Sequence, residues 1–285
     1  MHHNLLKIIE NGMDSFSKGQ KAIARFILEH YEKAAYMTAA VLGKKTGVSE
    51  STVVRFASEL GFEGYPEFQR ALREAVKMKL TTVQRVELTN SMIGEGDLLS
   101  TVLNADSEKI RKTLSEIDPE TFERAVDKIV GAKNLYIIGV RSSAFLAGFL
   151  NYNLRMILDN IHFIQTTSGS EMFEQIINID KDDVMVAISF PRYSKRIINA
   201  VEFAGQKGAQ VIALTDGTSS PIAAYANELL LAHSDMVSFV DSLVAPLSII
   251  NAIIVATVRK KQEEFSRKLC ELEEIWDKYD VYDKN

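Results

Sequence analysis

The stretch from Met37 to Pro66, MTAAVLGKKTGVSESTVVRFASELGFEGYP, restricts what this chain can fold into more than any other. Thr38 is a good N-cap, and Ala39, Ala40, Val41 and Leu42 open a short helix that Gly47 closes. Ser49 caps a second helix, in which Val53, Phe56, Ala57 and Leu60 recur at i, i+3, i+4 and i+7. One face of that helix is committed to a core, and the other carries Ser51, Thr52 and Arg55. Two short helices joined by a tight turn containing glycine form the helix-turn-helix pattern, whose second helix lies in the DNA major groove. Small hydroxyls at Ser49, Ser51 and Thr52 allow close approach to bases and phosphates, and Arg55 reaches a guanine edge or a phosphate. Lys44, Lys45 and Tyr65 complete the expected DNA contacts. A helical hairpin with a polar outer face has the same periodicity, so spacing alone leaves both open.

The full string is more specific than its periodicity. In Thr38, Ala39, Ala40, Gly47, Val48, Ser49, Thr52, Val53, Val54, Arg55, Phe56, Leu60, Gly61, Phe62, Gly64 and Tyr65 it resembles the N-terminal domain of the RpiR-type bacterial transcriptional regulators. That resemblance implies binding to duplex DNA.

At 285 residues the chain exceeds the usual single domain, so two domains are expected. Hydrophobic content of 46% with 25% charged residues fits a soluble globular protein. The single cysteine, Cys270, excludes an internal disulfide and a cysteine-rich zinc site. The N-terminus has no apolar run of signal-peptide length, so a reducing cytoplasm is expected. The uncharged run from Ser242 to Val258 is shorter than the roughly 20 residues of a membrane span and is interrupted by Pro246, Ser248 and Asn251. It reads as a buried or subunit-interface helix, not a membrane segment. The net charge of -5 is uneven: residues 1–79 hold twelve Lys and Arg against nine Asp and Glu, leaving 21 against 29 for the rest. The relatively basic end is therefore the one that carries the helix-turn-helix.

Around that motif, short helices are expected over Leu5–Glu10 and, capped by Ser17, from Lys18 to His30. A further helix beyond Pro66 turns Phe68, Leu72 and Val76 inward and leaves Arg70, Arg73 and Lys77 to phosphates or to solvent. Residues 1–77 make up the DNA-binding domain. The pattern loses its period over 78–96, which is placed as a linker with some helix at its start. Residues 97–285 then form the second domain. Asp97 opens a helix to Ile117, and Asp118 with Pro119 caps another that Gly131 ends. Apolar runs at Asn134–Ile138, Ile161–Gln165, Val184–Ile188, Gln210–Leu214 and Glu228–Leu231 alternate with helix-length segments. This spacing implies a parallel sheet covered on both faces. The last segment, Arg259 to Tyr279, carries Phe265, Leu269, Leu272 and Trp276 on one side and is expected to dock on the domain or on a second subunit.

Ligands of such sheets bind at strand C-terminal ends, beside helix N-termini. The first strand leads into Arg141, Ser142 and Ser143, the third into Ser189, Phe190, Pro191, Arg192 and Ser194, and the fourth through Thr215 to Ser219, Ser220 and Pro221, read as a capped helix start. The stretches IIGVRSS, DDVMVAISF, KGAQVIALTDGTSSPIAAYAN and SLVAPLSIINAI resemble the SIS, or sugar isomerase, domain, a phosphosugar-binding module that follows the helix-turn-helix in RpiR-type regulators. The resemblance implies an α/β fold: an all-α helix-turn-helix domain joined to a doubly wound five-stranded parallel sheet. Two departures stand out. In the pattern G-x-G-x-S, Gly139 and Ser143 are kept while Arg141 replaces the second glycine. In the pattern S-x-S-G-x-S/T, Ser189 and Ser194 are kept while Pro191 and Arg192 replace the middle pair. Guanidinium groups hold phosphate or carboxylate in bidentate fashion, or they pair with acidic groups at the domain surface; both remain open.

SIS domains also occur in isomerases, whose chemistry needs a positioned acid and base. Glu171 is the best candidate; the alternative is a first-turn acid that stabilises its helix. His233 follows the fifth strand, and His162 is placed in the core or at an interface. No metal-ligand spacing or cofactor motif is present. The expectation is a non-enzymatic, cofactor-free regulator acting as a homodimer or dimer of dimers on a near-palindromic operator. Its small anionic ligand, a phosphosugar, is held by Arg141, Ser142, Ser143, Ser189, Arg192, Ser194, Thr215, Ser220 and Glu171. The alternative is a sugar-phosphate isomerase or lyase with a helical appendage.

Overall fold

The computed structural model describes residues 5–77, 83–86, 97–235 and 240–282; the side chains of Glu74 and Lys77 lie outside that description. The chain divides into two compact units, one built from the N-terminal helices and the other running from Val102 onward.

The first unit contains α1 (Leu5–Asn11), α2 (Lys18–Glu29), α3 (Tyr31–Ala34), α4 (Ala39–Thr46), α5 (Glu50–Glu59) and α6 (Tyr65–Lys77). Three of these helices start where a side chain satisfies an orphan N-H. Ser17 and Gln20 form a reciprocal capping box on α2, Thr38 Oγ1 accepts from Val41 N at 3.3 Å on α4, and Ser49 Oγ accepts from Thr52 N at 3.3 Å on α5. Gly47 ends α4 at φ 71°, a left-handed conformation that an L side chain adopts only with strain. Gly43 has a different reason: a Cβ there would sit 2.8 Å from the Val48 carbonyl oxygen, so the turn can fold back on α4 only over a glycine. The core beneath is aromatic. Phe16 and Phe68 meet Phe56 edge-on, with centroids 5.2 and 5.9 Å away, and Ile23, Ile27, Leu42, Val53 and Leu72 fill the space around them.

Of the expected linker, only residues 83–86 are described, as one helical turn; the rest of 78–96 lies outside the described residues. The second unit follows with α7 (Leu98–Glu116), α8 (Pro119–Gly131), β1 (Leu135–Gly139), α9 (Ser142–Leu154), β2 (Ile161–Ile164), α10 (Gly169–Ile176), β3 (Val184–Ile188), α11 (Lys195–Gln206), β4 (Gln210–Thr215), β5 (Glu228–Leu231), α12 (Val244–Lys260) and α13 (Gln262–Lys278). All neighbouring strands are parallel, in the order β2-β1-β3-β4-β5. Alternate residues of each strand feed opposite layers. Ile137, Val186, Ile212 and Leu230 pack under α8, α9 and α12, while Tyr136, Met185, Val211 and Ala213 pack under α10 and α11. The central strands β1 and β3 are buried along their whole length, which explains their unbroken apolar sequence.

One sequence expectation is corrected here and two are narrowed. Pro221 does not open an α-helix: the chain makes turns and a single 3-10 turn, Ala223–Tyr225, before β5. His162 is exposed, because β2 is an edge strand, which excludes the core and leaves the interface placement; its ring stacks on Tyr136 with centroids 4.7 Å apart. The apolar stripe of α13 is only half-buried, and no residue of that helix is fully covered. Among the described residues no helix is long and apolar enough to cross a membrane.

Candidate functional site

On the first unit, α5 turns Val53, Phe56 and Ala57 inward and presents Ser51, Val54, Arg55 and Ser58 outward. Arg55 lies along this face with Nε donating to the Ser51 carbonyl at 3.2 Å. Lys44 and Lys45 are exposed in the last turn of α4. Ser49 is exposed but engaged, since its hydroxyl caps α5 and lies 2.8 Å from Ser51 Oγ. Thr52 is half-buried, and its methyl group faces the close approach of α2 at Gly19.

Tyr65 does not belong to the DNA-facing set. It is buried in the first turn of α6, where its hydroxyl donates to the Met37 carbonyl at 2.7 Å and burial pushes its pKa up to about 12. Its place in the stripe Tyr65, Phe68, Leu72, Val76 was the signal for a core role. Arg70 is exposed, but Arg73 is tied down: Nε donates to the Ala35 carbonyl at 3.1 Å and the guanidinium lies over the Tyr36 ring at 5.3 Å. Lys77, also expected to reach phosphates, has a side chain outside the described residues.

On the second unit, strand order reverses between β1 and β3: the chain goes from β1 outward to β2, then crosses back to β3 on the other side. Such switch points leave a crevice at the C-terminal strand ends. A cleft lies there, lined by Arg141, Ser142 and Ser143 after β1, by Ser189 to Arg192 and Ser194 after β3, and by Asp241. Six of the nine residues expected to hold a ligand therefore come together. The turn after β1 is tight: a Cβ on Gly139 would lie 2.4 Å from the Ser143 carbonyl oxygen. Ser194 caps α11, accepting from Arg196 N at 3.3 Å, so the N-termini of α9 and α11 both open at the cleft. Helix N-termini and guanidinium groups together favour an anion.

Both arginines that replace small residues have backbones suited to glycine. Arg141 has φ 57° and Arg192 φ 62°, and the remaining positive-φ residue other than glycine among those described is Asp280, at the C-terminal end of α13. Strain of this kind persists only where the surrounding structure enforces it, and it clusters at functional sites.

Thr215, Ser220 and Glu171 do not line this cleft. Thr215, 0% exposed at the end of β4, donates its hydroxyl to that of Ser220, 3% exposed, at 2.8 Å. The two hydroxyls thus satisfy each other and brace the turn after β4. Glu171 lies in the first turn of α10, accepting from Thr166 Oγ1. His233 is also elsewhere. Its N-H donates to Thr113 Oγ1 at 2.9 Å and its Nε2 lies 2.9 Å from Glu116 Oε2, both on α7. Hydrogen bonding to Asp235, and then to Glu116, raises its pKa above the usual imidazole value against the opposing pull of burial. Asp241, the one acid lining the cleft among the described residues, has no local sequence signal; the chain returns it from beyond β5.

Fold and site define a helix-turn-helix protein that also carries a doubly wound α/β domain with a cationic cleft at its switch point. Residues 3–79 match the family model described as a helix-turn-helix domain of the rpiR family, and residues 128–256 match that of the SIS domain. The chain belongs to the RpiR-type helix-turn-helix transcriptional regulators that carry a SIS domain. An uncharacterized HTH-type transcriptional regulator of Clostridium perfringens is 27% identical over 224 residues, which cover 76% of this chain and 77% of that protein. The RpiR transcription factor of Sphaerobacter thermophilus, solved as its sugar isomerase domain, aligns over 63% of this chain and 99% of its own at 27% identity and a TM-score of 0.60. The Vibrio vulnificus NanR protein, solved in complex with ManNAc-6P, has the same fold over 97% of this chain and 99% of its own, at 23% identity and a TM-score of 0.60.

Proposed function

We propose that this regulator works in the cytoplasm as a homodimer, or dimer of dimers, on a near-palindromic operator and releases or grips it in response to a phosphorylated sugar. Residues 1–77 bind DNA through Ser51, Arg55, Lys44 and Lys45, and residues 97–285 bind the ligand and hold the subunits together. The observation that carries the sensing half is the cleft at the β1/β3 switch point, where Arg141 and Arg192 join Ser142, Ser143, Ser189 and Ser194 at two helix N-termini. Two guanidinium groups and serine hydroxyls suit a phosphate monoester, and Asp241 can accept hydrogen bonds from sugar hydroxyls. The complex of NanR with ManNAc-6P makes amino-sugar and hexose 6-phosphates the first candidates. Exposed Phe145, Phe149 and Tyr152 on α9 and Val255 on α12 supply apolar surface for the subunit contact.

The test has two arms. Duplexes selected from a random pool should converge on a near-palindrome with half-sites about one helical turn apart. A thermal-shift screen of sugar phosphates should find a stabilising ligand whose effect is lost in Arg141→Ala. An operator without symmetry sinks the dimer assignment, and a panel with no binder sinks the ligand assignment.

A further inference from the structure

Of the 19 residues of α7, Lys109 and Thr113 alone are buried, while Leu99, Leu103, Ile110 and Leu114 stand 69, 58, 40 and 75% exposed. Single exposed leucines are ordinary on a protein surface, but these four share one face. At about 100° of turn per residue they fall within an arc of roughly 60°, so they form one apolar stripe along the helix.

The spacing of that stripe is symmetric. Its steps are four, seven and four residues, the same from either end, and the midpoint falls between Asp106 and Ser107. A second copy of the helix, turned end for end about a two-fold axis at that point, lays its Leu114 against Leu99 and its Ile110 against Leu103. Closed dimers are built this way: one patch meets itself, so residue i faces j and j faces i. A partner of different sequence asks for no such palindrome.

The groups around the axis permit the approach. Ser107 is small, and the acid beside it is already answered within its own chain, where Asp106 Oδ1 takes Lys109 Nζ at 3.4 Å and Ser242 Oγ at 2.7 Å. Arg111 flanks the stripe, but nine residues of rise set its two copies about 13 Å apart along the helices, beyond the screening length of roughly 8 Å at physiological salt.

We propose that α7 docks on α7 of a second copy, antiparallel, in a two-fold contact additional to the apolar surface of α9 and α12. This rests on the reading of the protein as a homodimer or dimer of dimers, and it brings the helix that follows the DNA-binding domain and the connecting segment into the interface.

The experiment uses the full chain in a Cys270→Ser background, because Cys270 is exposed, with single cysteines on α7 under mild oxidation. A disulfide needs Cα atoms within about 7 Å of each other. Ser107→Cys lies next to the axis and should cross-link to itself. Leu103→Cys should not, because seven residues of rise set its two copies about 10 Å apart; it should cross-link to Ile110→Cys when the two variants are co-expressed. Ser115→Cys, on the far side of the helix, controls for random collision and should give no cross-link. Sedimentation supplies the second arm. The double variant Leu103→Asp, Ile110→Asp, changed only at exposed positions, should keep its fold and associate about 10-fold or more weakly than the wild type. Self-cross-linking of Leu103→Cys, none at Ser107→Cys, or a double variant that associates like the wild type overturns the pairing and leaves the dimer reading in place; a stripe covered by another segment of its own chain, or by a different protein, gives the second of these results. A wild type that sediments as a monomer at every concentration removes the dimer reading, and the pairing falls with it.

Discussion

Replacing Arg141 by glycine should make the second unit more stable and its cleft a poorer anion site. Arg141 sits at φ 57° and ψ -128°, a region open to glycine and costly for any side chain, by about 1–3 kcal/mol. Glycine gives back part of that gain, ~0.5–1 kcal/mol, because its unfolded chain is freer. The net expectation is a stabilisation of roughly 0.5–2 kcal/mol, or an increase of about 1–8 °C in the melting temperature for a unit of this size. Losing the guanidinium removes charge-assisted hydrogen bonds worth ~1.5–3 kcal/mol, so the bound anion should weaken by about 10- to 150-fold. Scanning calorimetry reads the first quantity and isothermal titration the second. Arg141→Ala is the control, because alanine keeps the positive φ and loses the same charge. The glycine variant must melt above the alanine variant; if it melts at or below it, the backbone at residue 141 is not strained and this reasoning is wrong.

Gly43→Ala should destabilise the first unit by about 1–3 kcal/mol in urea unfolding, since its Cβ would press to 2.8 Å on the Val48 carbonyl; a neutral result would mean that the turn has room to move. Arg55→Ala should cost ~1–3 kcal/mol of specific DNA affinity in a fluorescence titration and change folding stability by less than about 0.5 kcal/mol; unchanged affinity would remove Arg55 from the recognition face. His233, whose folded pKa is raised, holds Glu116 and Asp235 as a cation. Its contribution is full below the unfolded pKa and is lost as pH rises through the folded one. The stability gap between wild type and His233→Gln should accordingly shrink between about pH 5 and about pH 8, and a gap that widens with pH would contradict the assignment.

Much of this fold is legible in the chain because local rules act alone there. Ser17, Thr38, Ser49 and Asp118 cap helices as their residue types demand, and Gly47 takes the left-handed turn that only glycine adopts cheaply. Strand positions follow from short apolar runs, so the expected runs coincide with β3, buried on both faces, and with the edge strand β5, fully buried on one. Where tertiary packing decides, the sequence is silent. The alternation of strands and helices does not say which strand lies at the edge, so it leaves both core and interface open for His162, and only the edge position of β2 excludes the core. Hydroxyls at strand ends look alike in sequence. Those of Ser142, Ser143, Ser189 and Ser194 line the cleft, whereas those of Thr215 and Ser220 bond to each other because β4 lies one strand away from the switch point. Asp241 is brought to the cleft across a long separation, which no local pattern encodes. The substitution of arginine for glycine at residue 141 was visible at once, but the positive φ that gives it meaning appears only in three dimensions.

In the function proposed, one chain joins operator binding to occupancy of a cationic cleft. The most direct measurement is the affinity of the full-length protein for its selected duplex at fixed salt, with and without a saturating sugar phosphate, in the wild type and in Arg192→Ala. Salt must be held constant because phosphate contacts make DNA affinity steeply salt-dependent. The wild type should change its DNA affinity by about 5- to 150-fold on adding the ligand, and Arg192→Ala should bind DNA like the ligand-free wild type and respond little or not at all. A sugar phosphate that binds the wild type tightly yet leaves its DNA affinity unchanged would contradict the account.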